Sequence, residues 1–197
     1  PSAQDPTMLS KYQVRKPFVI YTGSAYPHKN IPQAAAAIKR INQKGEMLSF
    51  VVASSRSVFL DRLSRTLQDE GSLRYVRFIG FVPDEDLTKL YSQAVALVQP
   101  SHSEGFGLTG LEAMAAGLPV LASRSSVFQE IYQDAALYFD SQSKDDLETV
   151  LQTILNDGKL RRRLIRKGLQ HAKQFSWKTL VKQTLTGYRV ALAKSGI

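Results

Sequence analysis

Residues 99–123 read QPSHSEGFGLTGLEAMAAGLPVLAS. A short apolar run, Val95–Val98, leads into this stretch, and a second, Pro119–Ala122, closes it. Between them Glu104 precedes a Gly105-Phe106-Gly107 loop. Glu112 follows within a helix-forming run, Thr109–Ala116, that Gly117 ends as a C′ glycine would. Strand, loop, helix, strand is the repeating unit of a parallel sheet wrapped by helices. In such a sheet ligands bind at the rim formed by the carboxyl ends of the strands.

The same alternation runs outward in both directions. Phe18–Thr22 reads as a first strand ended by Gly23, followed by a polar loop and a helix over Ile31–Lys44, with Asn30 as its cap. Leu48–Ala53 is a second strand whose terminal loop is Ser54-Ser55-Arg56, followed by a helix over Val58–Glu70. Val76–Ile79 is a third strand, and Asp84 is the expected N-cap of the next helix. After the quoted stretch come a short helix, Val127–Ile131, and a sixth strand, Ala136–Phe139. The pattern is then helical to the end, with a break near Ser176-Trp177. Right-handed crossovers place every strand's carboxyl end on one edge, so Gly23, Ser54, Gly80 and the 102–107 loop converge there. The expected fold is α/β: a Rossmann-like parallel sheet of about six strands flanked by helices.

Composition narrows the function classes. With 43% hydrophobic residues in a 197-residue chain, there is enough apolar material for a proper core. Cysteine is absent, which excludes disulfides and thiolate metal sites, and the three histidines lie at unrelated positions. No apolar run approaches the roughly 18–20 residues that span a bilayer. The opening residues, PSAQDPTMLSKYQVRKP, show no signal-peptide pattern and read as a polar lead-in or linker, with a cytoplasmic location as the default. The net charge of +9 is densest near the carboxyl end, at Lys159, Arg161, Arg162, Arg163, Arg166, Lys167 and Lys173. A solvated helix face explains it, and peripheral contact with anionic lipid head groups is the alternative. Nucleic acid is not expected, because aromatics are not interleaved with the basic residues as stacking platforms would require.

The rim residues suggest a chemistry. Glycines let backbone approach a ligand, and a helix beginning near Leu108 or Thr109 offers unpaired N–H groups and partial positive charge, for which a phosphate oxygen is the natural guest. A loop carboxylate such as Glu104 can accept hydrogen bonds from adjacent sugar hydroxyls. Glu112, about one turn into the helix, can also reach the mouth, although an ordinary first-turn glutamate is the alternative. Lys29, in the loop after the first strand, can meet a diphosphate held by the Gly107–Thr109 amides. Arg56 is a second candidate cation, and His102 a weaker contact. The two carboxylates carry little suggestion of glycoside hydrolysis, which needs no phosphate-binding helix terminus. A metal has no evident third ligand nearby.

SEGFGLTGLEAMAAGLPVLAS resembles the E-x7-E region of the retaining GT-B glycosyltransferases of the large group-1 family (family 4). YTGSAYPHKN resembles that family's phosphate-binding first loop, and FIGFVPDEDLTKLYSQAVALVQPS its base-binding segment. SSVFQEIYQDAALYFD and FSWKTLVKQTL resemble later landmarks, so the likeness covers about residues 17–190. It implies one half of a GT-B fold that binds a nucleoside diphosphate sugar. Residues 1–16 would be the lead-in, 17–175 the nucleotide-sugar-binding domain and 176–197 a crossover helix. Carried over by position, Glu104 would hold hydroxyls of the transferred sugar, and Lys29 would neutralise the departing diphosphate. Phe106, Gly107 and Leu108 would offer backbone contacts, Glu112 would bind the ribose, and the backbone around Phe81 and Val82 would meet the base. Gly23, Ser24, Arg56, Ser103, Gly105 and Thr109 complete the donor-contacting set. Neither a metal nor another cofactor is expected.

The chain departs from the family at two loops. Ser24 stands where an arginine is frequent, and Ser54-Ser55-Arg56 replaces a glycine-rich loop. The first loop leans toward a GDP-mannose donor, with UDP-sugars close behind. The acceptor would be bound by an N-terminal domain outside this sequence, leaving the isolated chain inactive. The alternatives are a nucleotide-sugar epimerase-like enzyme and a non-catalytic basic binding module.

Overall fold

The computed structural model describes residues 6–195. Six parallel strands form one sheet in the order β3-β2-β1-β4-β5-β6. They are β1 (Phe18–Thr22), β2 (Ser49–Ala53), β3 (Val76–Phe78), β4 (Leu97–Gln99), β5 (Val120–Ser123) and β6 (Leu137–Phe139). The order reverses between β1 and β4, and this is the switch point at which loops from neighbouring strands diverge and leave a crevice. The expected Rossmann-like α/β fold is the one observed.

Among the described residues nine α-helices precede, connect and follow the strands: α1 (Pro6–Tyr12), α2 (Ile31–Gln43), α3 (Val58–Asp69), α4 (Asp84–Tyr91), α5 (Leu108–Ala115), α6 (Ser126–Tyr132), α7 (Asp146–Asn156), α8 (Gly158–Ala172) and α9 (Trp177–Ser195). Strand periodicity sorts the core into two layers. Val19 and Tyr21 of β1, with Phe50 and Val52 of β2, face α2, α3 and α7. Phe18 and Ile20, with Val51, face the layer of α1, α4, α5 and α6. A central strand buried on both faces must be apolar throughout, as FVIYT nearly is.

Several boundaries differ from expectation for identifiable reasons. The segment read as a polar lead-in contains α1, whose Met8 is buried and whose Tyr12 hydroxyl donates to Asp86 of α4 at 2.7 Å. Residues 1–5 of that lead-in lie outside the described residues. Strand β4 begins at Leu97 rather than Val95 and reaches Gln99, which brings a polar side chain to the end of the strand. Asp84 is the first residue of α4, and Pro83 occupies the cap position. Asn30 sits in the cap position of α2 with φ 51°, but its side-chain amide donates to Gln33 Oε1 instead of capping the helix.

Layers are also tied by charge. Glu148 of α7 is buried, with Arg40 Nε and Lys44 Nζ of α2 each 2.6 Å from its carboxylate. Burial alone would raise this carboxyl's pKa, but the two cationic hydrogen bonds outweigh it and hold the carboxyl below its ordinary value. Helix α9 makes few contacts, and Trp177, Leu180, Val181, Leu185 and Tyr188 are exposed along it.

Candidate functional site

Two loops meet at the switch point. After β1 the chain passes Gly23 and Ser24 into a 3-10 turn, Pro27–Lys29, that lifts Lys29 toward β4. After β4, Ser101–Gly107 leads into α5. The main chain joins the loops where the His102 N–H donates to the His28 carbonyl at 2.8 Å. Their side chains join where Lys29 Nζ meets Glu104 Oε1 at 2.7 Å. The Ser101 hydroxyl donates to the same carboxylate oxygen at 2.7 Å. Both members of the ion pair are about one-sixth exposed, at 17% and 15% for the side chains, so they are shielded yet reachable from the rim. The Ser123 hydroxyl of β5 holds the Ser101 carbonyl at 2.5 Å and anchors this loop from the next strand.

Helix α5 begins immediately beside the pair. Gly107 caps it with φ 93° and no side chain, so the amides of Leu108 and Thr109 open toward the crevice. Why both Gly107 and Gly110 are glycine is a matter of space. A Cβ on Gly107 would lie 2.2 Å from the Tyr132 hydroxyl, and one on Gly110 would lie 2.3 Å from it.

Glu112 stands one turn along α5. Partial burial, then the like charge of Asp84, raises its carboxyl above the ordinary value. Glu112 also acts on Tyr91, whose phenol is pushed up to about 12 chiefly by burial. The Tyr91 hydroxyl donates to Thr22 Oγ1 at 3.1 Å, at the end of β1. Glu112, Asp84, Tyr91 and Thr22 therefore form a second polar neighbourhood near the same switch point. Asp84 was read only as a cap. Its electrostatic coupling to Glu112 depends on how α4 and α5 pack, and nothing in the local pattern could have signalled it.

The expected site residues are not all brought together. Lys29 and Glu104 meet where the two loops join beside Gly107, Leu108 and Thr109, and Glu112 lies one turn along the same helix. Ser103, Gly105 and Phe106 line the exposed loop, and Phe106 packs edge-on against Phe175 at 6.1 Å between centroids. Gly23 lies at the rim, but its N–H is already given to the Ala53 carbonyl at 3.1 Å. The Ser24 carbonyl accepts the Tyr21 hydroxyl at 2.6 Å, which turns the loop. Phe81 is 74% exposed, whereas the Val82 side chain is buried in the core, leaving Val82 only its backbone to offer. Arg56 is exposed at the end of β2 and makes none of the contacts that join Lys29 to Glu104. His102 contributes its backbone to the loop junction while its ring is exposed. Among the described residues no group of three histidines or carboxylates could hold a metal ion.

Beside this crevice, an open groove of about 440 Å³ runs between α5 and the start of α9. Its walls include Leu108, Leu111, Phe175, Trp177 and Leu180, with Glu112 on its edge.

Residues 10–171 match the family described as "Glycosyl transferases group 1". The O-antigen chain mannosyltransferase B of Escherichia coli is 34% identical over 185 residues, covering 93% of this chain and 49% of that protein. The O-antigen chain mannosyltransferase RfbU of Salmonella typhimurium is 31% identical over 137 residues, or 70% of this chain and 38% of that protein. Among solved structures, sucrose-phosphate synthase from Thermosynechococcus elongatus superimposes with a TM-score of 0.81 at 27% identity. That match covers 96% of this chain and 49% of that one. The chain thus spans about half, or less, of the length of these relatives.

Proposed function

The chain belongs to the group 1 glycosyl transferases, and from that membership we propose that it forms the donor-binding half of a retaining, family 4 enzyme that transfers a hexose, mannose foremost, from a nucleoside diphosphate sugar. Residues 17–175 would be the donor domain and 176–197 the helix crossing to an N-terminal domain that binds the acceptor. Without that domain the chain would bind donor and not turn it over. The location proposed for the enzyme is cytoplasmic. No helix among the described residues is long and apolar enough to cross a membrane.

The observation that carries this reading is the Lys29–Glu104 pair set against the amino end of α5, with Glu112 one turn beyond. In the proposed complex the diphosphate lies on the Leu108 and Thr109 amides and takes Lys29 from Glu104. The freed carboxylate accepts hydrogen bonds from the sugar, and Glu112 accepts from the ribose. As the bond from the anomeric carbon to the phosphate oxygen breaks, its electron pair leaves on the diphosphate. Fixed amides and an ammonium there stabilise the transition state more than the ground state. No metal or other cofactor enters this scheme. GDP-mannose is the preferred donor, and the relatives named as mannosyltransferases support that choice.

Calorimetric titration with GDP, UDP and ADP at low and moderate salt tests the reading. One nucleotide should bind saturably and survive moderate salt, whereas failure of all three would remove the donor site from this chain. Glu112→Ala should weaken every nucleotide by about 1.5–3 kcal/mol, the worth of charged hydrogen bonds. Because burial and then Asp84 raise its carboxyl above the ordinary value, nucleotide affinity should begin to fall on acidification sooner than an unshifted glutamate would allow. Glu104→Ala should weaken the nucleotide sugar while leaving the free diphosphate unchanged or tighter, since Lys29 is released. Equal losses for both ligands would take Glu104 away from the sugar.

Peripheral contact with an anionic membrane is part of the proposal. Residues 158–197 contain eleven lysines and arginines and no aspartate or glutamate. On α8, Arg162, Arg163 and Arg166 are exposed, whereas Lys167 is taken by Asp134. Co-sedimentation with phosphatidylglycerol vesicles, absent with phosphatidylcholine and lost as salt is raised, is the expected result. Equal recovery with both vesicle types would return α8 to a solvated face.

A further inference from the structure

We infer that Tyr132, which lies outside every recognised donor contact, is a positioning residue that presets the phosphate-facing end of α5. The inference rests on the donor-site reading above. Tyr132 is the last residue of α6 and is fully buried. Its hydroxyl shares its one proton between two acceptors, the Gly107 carbonyl at 2.6 Å and Gln99 Oε1 at 2.7 Å. Gln99 ends β4, and its Nε2 donates to Thr109 Oγ1 at 2.8 Å. One phenol therefore links the end of β4, the glycine loop and the first turn of α5. These parts follow one another along residues 99–109, and their geometry must agree for the Leu108 and Thr109 amides to face one point.

Packing makes the phenol a rigid support. The Phe128 ring stacks on it, with centroids 5.1 Å apart and planes 16° apart. The backbone carbonyl of Phe128 is in turn held by the Tyr138 hydroxyl at 3.0 Å. Tyr132 thereby fills the space that Gly107 and Gly110 leave empty, and their missing side chains let α5 rest directly on the hydroxyl. A phenylalanine would fill nearly the same volume with no polar group to desolvate. Burying the hydroxyl is costly unless it is bonded, and both its acceptors belong to the donor loop or the strand that feeds it. The hydroxyl therefore fixes where the Gly107 carbonyl points, and with it the direction of the amides that follow. Amides already aimed need no reorganisation when phosphate arrives, which is how preorganised donors gain their strength.

The test is Tyr132→Phe, with Gln99→Leu as a second variant that removes the other end of the network. Each is titrated with GDP and with guanosine, or with whichever diphosphate the chain binds and its nucleoside. Titration is done well below the melting temperature of every protein compared. Hydrogen exchange of residues 107–112 is followed in parallel on ligand-free protein. The expected result is a loss of about tenfold in diphosphate affinity with nucleoside affinity unchanged, and faster exchange confined to that segment. Diphosphate affinity equal to that of the parent overturns the inference. So does an equal fall for nucleoside and diphosphate, which marks general destabilisation. If the parent chain binds no nucleotide, the donor-site reading fails. The exchange measurement then decides the structural part alone, and unchanged exchange in both variants overturns it.

Discussion

Gly110→Ala should abolish nucleotide binding and lower the melting temperature sharply, although alanine is the better helix former. Propensity alone would favour the change by about 1 kcal/mol. Space forbids it. The new Cβ would stand 2.3 Å from the Tyr132 hydroxyl, 2.4 Å from its Cζ and 2.6 Å from Gln99 Oε1. The Tyr132 ring is backed by Phe128, and the Gln99 amide, although it ends a flexible side chain, is held at both of its ends. Helix α5 must then lift from the sheet, taking the Leu108 and Thr109 amides with it. Forced overpacking of this kind costs about 1–3 kcal/mol, and separating the Tyr132 contacts adds to it. Thermal unfolding and calorimetry measure the two effects. Gly187→Ala is the matched control, since nothing lies within 4 Å of its Cβ position on α9. A Gly110→Ala protein that melts and binds like the control would show that α5 yields without cost.

Lys29→Ala carries the second large effect. The ammonium is expected to lose its place on the donor diphosphate, with a fall in nucleoside diphosphate affinity of about tenfold to a hundredfold. This corresponds to about 1.5–3 kcal/mol for a hydrogen bond to a charged group. Nucleoside affinity should hold, because the change removes a phosphate contact and leaves Glu112 in place. Stability should fall as well, since Glu104 is shielded and would keep only the Ser101 hydroxyl as a partner. Titration with diphosphate and with nucleoside separates these outcomes. If both ligands bind Lys29→Ala as tightly as the parent, Lys29 is a tie between two loops and the diphosphate is held without it.

The alternation of apolar runs with helical spacing made the order of elements legible, and the Rossmann-like sheet followed from it. Glu104, Glu112 and the glycines between them were legible because they fall on one short loop-helix unit. Other parts were hidden for physical reasons. Helix α1 was missed because seven residues give too short a period, and its stability comes from burying Met8 against the sheet and from Tyr12 and Lys11 on Asp86. Asp84 looked like an ordinary cap, because its repulsion of Glu112 exists only once α4 and α5 are packed.

The sequence by itself determined the order of the six strands and the helices between them, that the strands are parallel, and that the polar loops share one rim. Those properties follow from side-chain period, which is local, and from the fixed hand of the crossover, which holds for any chain with this alternation. Tertiary structure alone decided that Lys29 pairs with Glu104 across 75 residues of chain, and that Tyr132, with Phe128 at Gly107 and Gln99 at Gly110, leaves those glycines no room for a side chain. Contacts at that separation are set by strand order and by the close packing of α5 on α6, and neither leaves a periodic trace in the chain.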